Sequence, residues 1–136
     1  YPAGMRAKAI CDGRGNAGTG ARACVLILET GETIEKAEKI EPTTNIVAEH
    51  LAIQLALEMA IDAGVRRLVV WNDSRSPVNH VLGTYKVKQD HLRPIVDRTR
   101  ELGLLLESFS IEWVPREKTV LPDRLCREVD KRPGAR

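Results

Sequence analysis

The sequence predicts an α/β domain in which helices flank a five-stranded mixed sheet, with three antiparallel strands followed by two parallel additions. Three observations predict this class. The first forty residues contain three strand-like segments joined by glycine turns. A helical period begins after Pro42, and single apolar segments then alternate with helical ones. The length of 136 residues predicts one domain over residues 1–136.

The first three predicted strands form an antiparallel meander and span Arg6–Asp12, Ala21–Glu29 and Thr33–Ile40. Between the first two, the segment Gly13–Gly20 holds four glycines in eight residues and predicts a turn. Thr30–Gly31 predicts a second, tighter turn.

The second half of the chain predicts helices and strands in alternation. Apolar residues at helical spacing predict a helix over Asn45–Ala63, and Gly64 is a typical stop signal. The apolar strand Arg67–Asn72 follows this helix, so a right-handed crossover would place it parallel to an earlier strand. The remaining predicted elements are helices at Ser76–Leu82, Asp90–Leu102 and Leu121–Asp130 and a strand at Leu106–Val114.

Composition excludes several classes of protein. A hydrophobic content of 43% argues against disorder, and the net charge of +2 gives no bulk sign of a polyanionic partner. The longest apolar run, Ala23–Leu28, is far shorter than the roughly 20 residues that span a bilayer. No signal peptide is evident, and three cysteines without a CxxC spacing favour a reducing cytoplasm. We expect residues 1–5 to be an added leader or the edge of a longer chain, and residues 131–136 to fray.

Four acidic residues stand out by position. Asp12 and Asp73 follow two strands that we expect to be parallel neighbours, so both carboxylates would lie at one rim of the sheet. Glu49 lies beside the packing face of its helix, and Asp123 begins the last one. Both also have a simpler explanation, because negative charge is favourable near a helix N-terminus. Converging carboxylates would repel one another unless hard divalent cations bind between them, and such pairs of ions hydrolyse phosphodiesters.

Several motifs, in this order and spacing, resemble those of the type 1 ribonuclease H family, in its short bacterial and archaeal branch without a basic protrusion. The resemblance covers about Arg6 to Asp130. The segments that carry it are Asp12–Gly20, Thr43–Glu49, Trp71–Ser74, Tyr85–Lys88, Trp113–Lys118 and Asp123–Leu125.

The resemblance implies a ribonuclease H-like fold and a metal-dependent endoribonuclease. Such an enzyme cleaves the RNA strand of RNA–DNA hybrids and leaves 5′-phosphate and 3′-hydroxyl ends. Asp12, Glu49, Asp73 and Asp123 match the carboxylates that hold two Mg²⁺ or Mn²⁺ ions. We further expect a monomer with no membrane association and no small-molecule cofactor.

The resemblance also indicates which residues would contact the hybrid. Asn45 matches a minor-groove contact, and Thr44 matches part of a pocket for a DNA phosphate. Tyr85 is the best aromatic candidate for packing on a DNA sugar, although a solvated basic loop is an equally good reading of its surroundings. The predicted contacts are Asn16, Thr44, Asn45, Arg75, Tyr85, Lys86, Lys88 and Arg116.

Departures from the family pattern leave a second hypothesis open. The glycine segment is two residues shorter than usual, Ile46 replaces an Asn, Thr119 replaces another Asn, and Pro122 replaces an Ala. These changes bear on hybrid affinity and rate more than on metal binding. The alternatives are a catalytically silent module that binds nucleic acid or a partner protein, and the nuclease domain of a larger polypeptide.

Other residues with chemical potential have simpler explanations. We expect His50 and His80 to pack or face solvent rather than to bind metal, the cysteines to be small buried hydrophobes, and both tryptophans to lie in the core. These histidines, cysteines and tryptophans are His50, His80, Cys11, Cys126, Trp71 and Trp113.

Setting the four acids aside raises the net charge of the rest of the chain from +2 to +6, which agrees with moderate, salt-sensitive binding of a polyanion.

Overall fold

The computed structural model describes residues 5–131 and confirms the predicted fold class. One five-stranded sheet has the strand order β3-β2-β1-β4-β5. The strands are β1 (Arg6–Asn16), β2 (Thr19–Leu28), β3 (Thr33–Lys39), β4 (Arg67–Asn72) and β5 (Ser108–Trp113). The helices are α1 (Asn45–Asp62), α2 (Arg75–Leu82), α3 (Arg93–Leu104) and α4 (Val120–Asp130).

The structure describes only part of each chain end. Of residues 1–5, expected to be an added leader or the edge of a longer chain, only Met5 is described, and it is buried in the core. Of the predicted frayed tail 131–136, only Lys131 is described, as an exposed turn residue. The other residues of both segments lie outside the described range.

The glycine-rich segment is not the turn that the sequence predicts. Strand β1 continues to Asn16 and β2 begins at Thr19, so only Ala17 and Gly18 form the turn of a long hairpin. Gly13 is needed for close packing against α1 rather than for a turn. A Cβ atom on Gly13 would lie 2.1 Å from the carbonyl oxygen of Ala48, the residue before Glu49 on α1. Glycine here lets α1 approach the backbone of β1.

Parallel pairing of β1 with β4 brings two acidic residues to one rim, as predicted. The paired residues run from Arg6 opposite Arg67 to Ile10 opposite Trp71. Asp12 and Asp73 each lie two residues past the last pair. Since parallel strands end at the same edge, both carboxylates emerge there.

The two faces of the sheet are covered by different helices. Alternate residues of a strand face opposite sides of the sheet. On β2, Cys24 and Leu26 belong to the main core with α1, whereas Ala21 and Ala23 pack against Cys126 of α4. Helix α3 packs against α1 from outside the sheet. The main core is largely aliphatic.

Two local predictions need correction. The helix predicted from Asp90 starts as a 3-10 turn over Asp90–Leu92, and α3 begins at Arg93, with Pro94 in its first turn, where proline is tolerated. Trp113 is not a core residue, because 36% of it is exposed, and Trp71 is only half-buried. A cationic side chain covers each indole ring: Arg75 lies 3.8 Å from the centre of Trp113, and Lys8 lies 3.9 Å from that of Trp71.

We predict that Gly13→Ala destabilises the fold by about 1–3 kcal/mol, because the added methyl group meets the backbone of α1 rather than a movable side chain. Urea denaturation followed by circular dichroism measures this change. The matched control is Gly18→Ala, where the nearest atom to the new Cβ is 4.0 Å away. Equal effects of the two substitutions would contradict the close-packing explanation.

Candidate active site

Three carboxylates converge at the rim where β1 and β4 end. One oxygen from each of Asp12, Glu49 and Asp73 lies within 4.8 Å of the others. Asp12 comes from β1, Glu49 from the second turn of α1, and Asp73 from the residue after β4. Asp12 and Glu49 are buried, with 6% and 4% exposed, at the base of a cleft of about 310 Å³.

Glu49 is held by neutral donors. Its Oε1 accepts hydrogen bonds from the backbone N–H of Gly13 at 2.7 Å and from Nδ2 of Asn72 at 3.2 Å. The first turn of α1 contains no acidic residue, so the favourable field of the helix terminus does not account for Glu49. These bonds instead join α1 to β1 and β4 directly beneath the cleft.

Asp73 is fixed through both its backbone and its side chain. The hydroxyl of Thr119, a buried residue, donates to Oδ2 at 2.8 Å, and the indole N–H of Trp113 donates to the main-chain oxygen at 3.0 Å. The nearest cation is Arg116, whose Nε lies 3.9 Å from Oδ2 while its side chain is 88% exposed. Thr119, a departure from the family pattern, therefore holds a carboxylate of the cluster.

Asp123 lines the same cleft but is not a member of the compact cluster. Its Oδ2 lies 3.1 Å from Nε of Arg127, one turn further along α4. The convergence expected for four carboxylates thus takes the form of three within 4.8 Å of one another and a fourth that lines the same cleft and acts on the pKa of Asp12.

The cluster carries negative charge that the protein offsets only weakly, through the exposed side chain of Arg116. Burial, followed by repulsion from Glu49, Asp73 and Asp123, raises the pKa of Asp12 to about 8. Burial also raises the pKa of Glu49 to about 7, although the hydrogen bonds from Asn72 and Gly13 act in the opposite direction. Without a cation, protons therefore occupy the cluster at neutral pH. An all-oxygen, partly solvated set of carboxylates fits a hard divalent ion, which would displace those protons.

The structure brings only some of the predicted hybrid contacts to the cleft. Asn16, Asn45 and Arg116 line it. Thr44 caps α1, where its hydroxyl accepts a hydrogen bond from the N–H of Val47. The other predicted contacts lie on exposed surface outside the cleft lining: Arg75 at the start of α2, and Tyr85, Lys86 and Lys88 on the loop that follows it.

Sequence reasoning missed the site roles of four residues. Arg14 and Arg127 line the cleft, Asn72 holds Glu49, and Thr119 holds Asp73. A polar residue at the end of the apolar run of β4 was the available signal for Asn72, and the four-residue spacing from Asp123 was the signal for Arg127. Arg14, whose Nε lies 3.3 Å from Asp130, gave no sequence signal.

Nearby histidines and cysteines pack in the interior, as predicted. His50 and His80 are buried against each other, with Nε2 of His50 at 3.2 Å from Nδ1 of His80. Cys11 and Cys126 are also buried, and the thiol of Cys126 donates to the main-chain oxygen of Asp12 at 3.1 Å. None of these four side chains belongs to the carboxylate cluster.

Comparisons with known proteins place this geometry in a family. A family model described as reverse transcriptase-like matches residues 10–129. Ribonuclease HI of Halobacterium salinarum is 34% identical over 128 residues, which are 92% of this chain and 64% of that protein. The chain spans 32% of the length of three mycobacterial relatives.

Solved structures agree with this placement. RNase H1 from the halophilic archaeon Halobacterium salinarum superposes with a TM-score of 0.87 and 30% identity, covering 91% of this chain and 96% of that one. LC11-RNase H1 in complex with an RNA/DNA hybrid superposes with a TM-score of 0.79 and 26% identity, covering 91% and 96%.

The raised pKa values predict how the stability of the metal-free protein depends on pH. The folded state holds a proton on Asp12 up to about pH 8, whereas an unperturbed aspartate loses it near its ordinary value of 3.8. The free energy of unfolding in EDTA should therefore fall as the pH is raised from about 5 to about 8. Because a bound cation takes the place of the protons, saturating Mg²⁺ should reduce this slope. A slope that Mg²⁺ leaves unchanged would contradict cation binding at the cluster.

Asp12→Asn should stabilise the metal-free protein at about pH 8 by about 1–3 kcal/mol, because it removes one of the mutually repelling charges. Thermal unfolding in EDTA measures this effect. The same variant should lose most of the increase in Tm that Mn²⁺ gives the unmodified protein. Asp97→Asn, on the exposed face of α3, is the control and should change neither quantity.

Proposed function

We propose, since this chain belongs to the type 1 ribonuclease H family, that it hydrolyses the RNA strand of RNA–DNA hybrids and leaves 5′-phosphate and 3′-hydroxyl ends. The observation that carries this proposal is the convergence of Asp12, Glu49 and Asp73 from three separate elements on one solvent-accessible cleft. A module that only binds nucleic acid gains nothing from burying Asp12 and Glu49 beside a third carboxylate.

Mg²⁺ or Mn²⁺ would be held by the carboxylates of this cleft. In this proposal Glu49 and Asp73 would hold one ion, Asp123 would hold a second, and Asp12 would contribute a ligand to each. Bound divalent ions supply the activation of water and the stabilisation of the leaving oxygen in phosphodiester hydrolysis. Asp123 can join through its second carboxylate oxygen or by exchanging its Arg127 partner for a cation. Exposed ion pairs are weak, so this exchange costs little.

The protein's own groups would bind and orient the hybrid. Asn45 uses its Oδ1 to accept from the N–H of Gly15 at 3.4 Å, which leaves its amide N–H groups free to donate. Such donors fit the base edges and the 2′-hydroxyls of the minor groove, and the 2′-hydroxyls distinguish RNA from DNA. Arg14 and Arg116 line the cleft and can pair with phosphates beside the carboxylates.

A second group of contacts would follow the DNA strand away from the cleft. Tyr85 is 46% exposed, and Lys86 and Lys88 are exposed beside it on the same loop. Arg75 stacks on Trp113, and this stacking limits the motion of its guanidinium while leaving the donor edge available to a phosphate. Thr44 would contribute at a neighbouring phosphate.

The proposal extends to the setting in which the protein acts. Within residues 5–131, none of the helices has the length and apolar character needed to cross a bilayer. We propose a cytoplasmic monomer in which the 136 residues form one nuclease domain, alone or within a longer polypeptide. Three buried free cysteines suit a reducing compartment.

The test is cleavage of labelled substrates. We expect the protein to cut the RNA strand of an RNA–DNA hybrid with Mg²⁺ or Mn²⁺, to leave duplex DNA and duplex RNA intact, and to stop in EDTA. Asp73→Asn should lower the rate by at least about a hundredfold, because it removes a charged ligand of the reacting centre. Asp97→Asn is the matched control. Hybrid binding without cleavage under either metal would instead indicate a silent module.

A separate prediction concerns the loop after α2. Combining Lys86→Ala with Lys88→Ala should weaken hybrid binding and reduce the slope of log affinity against log salt by about one to two. The maximal rate at saturating hybrid should stay the same, since neither lysine lines the cleft. Lys36→Ala on the exposed strand β3 is the control. An unchanged salt slope would remove this loop from the hybrid interface.

A further inference from the structure

Asn72 is a fully buried polar residue at the last position of β4, and the predicted mechanism assigns it no role. We propose that Asn72 is a positioning residue, which sets the spacing of the three-carboxylate cluster and thereby the affinity of the cleft for its divalent cation. This inference rests on the proposed metal-dependent function.

The side chain of Asn72 connects all three segments that carry the cluster. Its Nδ2 donates to the main-chain oxygen of Cys11, next to Asp12, at 3.1 Å and to Oε1 of Glu49 at 3.2 Å. Its Oδ1 accepts from the N–H of Ser74 at 2.9 Å, which closes a turn around Asp73. One amide therefore fixes the positions of Asp12, Glu49 and Asp73 relative to one another.

The chemistry of an amide suits this task. A primary amide offers two donors and an acceptor, and Asn72 uses all three. A hydroxyl offers a single donor and cannot hold both Glu49 and Cys11. A lysine or arginine could reach the carboxylate, but its positive charge would occupy the place of the cation. Asn72 orients the cluster and leaves its negative charge available.

A bound cation would then depend on Asn72 through Glu49. Oε1 of Glu49 is fixed by Gly13 and Asn72, so the orientation of its other oxygen is fixed as well. Groups that hydrogen-bond to metal ligands commonly contribute about ten- to a hundredfold to metal affinity. Without Asn72, Oε1 of Glu49 keeps only the hydrogen bond from Gly13 of these two bonds. Its carboxylate is then free to rotate.

The experiment compares two buried amides. Asn72→Ala removes the bonds to the cluster, whereas Gln54→Ala removes a similar buried amide that donates to the main-chain oxygen of Ile95 at 3.0 Å. Asn72→Ser restores one donor. Mn²⁺ titration by calorimetry, without nucleic acid, gives the apparent Kd, and thermal unfolding in EDTA gives the cost in stability. Both alanine variants should have a lower Tm.

We expect Asn72→Ala to weaken Mn²⁺ binding about tenfold or more, Asn72→Ser to weaken it less, and Gln54→Ala to leave it unchanged. In cleavage assays, Asn72→Ala should need more Mn²⁺ for the same kcat while its KM for the hybrid stays constant, because the side chain of Asn72 bonds to none of the proposed hybrid contacts.

Unchanged Mn²⁺ affinity in Asn72→Ala would overturn the proposal, as would an equal loss in Gln54→Ala. Failure of the proposed function gives a different result. If the unmodified protein binds Mn²⁺ and Asn72→Ala weakens that binding, but the unmodified protein cuts no hybrid, the nuclease proposal is refuted and the positioning role of Asn72 is retained. An unmodified protein that binds no Mn²⁺ would refute both.

Discussion

The structure depends on one electrostatic constraint: three carboxylates must be held close together without positive charges that neutralise them. Glu49 is held by the backbone of Gly13 and the amide of Asn72, and Asp73 by the hydroxyl of Thr119. All three donors are neutral. The negative charge therefore remains available, and burial raises the pKa of Asp12 and of Glu49. A cation or protons must complete the site.

The fold meets this constraint with three rigid elements that meet at a single rim. The central strand β1 supplies Asp12, and the parallel pairing with β4 brings Asp73 beside it. Helix α1 reaches the same point because Gly13 has no side chain to keep it away. Helix α4 closes the other face of the sheet, where the thiol of Cys126 donates to the backbone of Asp12. Precise geometry comes from strands and helices, while the exposed loop after α2 extends the basic surface.

The sequence was sufficient for the antiparallel meander, for the parallel pairing of the first and fourth strands and for the acidic residues at the rim, because apolar periodicity and the crossover rule are strong signals. It was insufficient for the hairpin, since glycines that admit a helix look the same in sequence as glycines that form a turn. The roles of Asn72 and Thr119 depend on which neighbour each donor meets in space. Trp113 was misplaced because stacking with Arg75 lets a large aromatic ring remain at the surface. Asp123 pairs with Arg127 in the structure, and spacing alone could not distinguish such a pair from metal ligation.

The use of neutral donors also bears on how such a domain can diverge. Each donor lies next to a carboxylate at hydrogen-bonding distance, so a single basic side chain introduced there would supply, within the polypeptide, the charge that a metal ion otherwise provides. Such a change is open only to the two side-chain donors, Asn72 and Thr119, because Gly13 donates from its backbone and has no room for a side chain. An enzyme of this design and a binding protein that has lost its catalytic activity are therefore close in sequence. They differ by the charge of one side chain, neutral in the first and positive in the second, rather than by a change of fold.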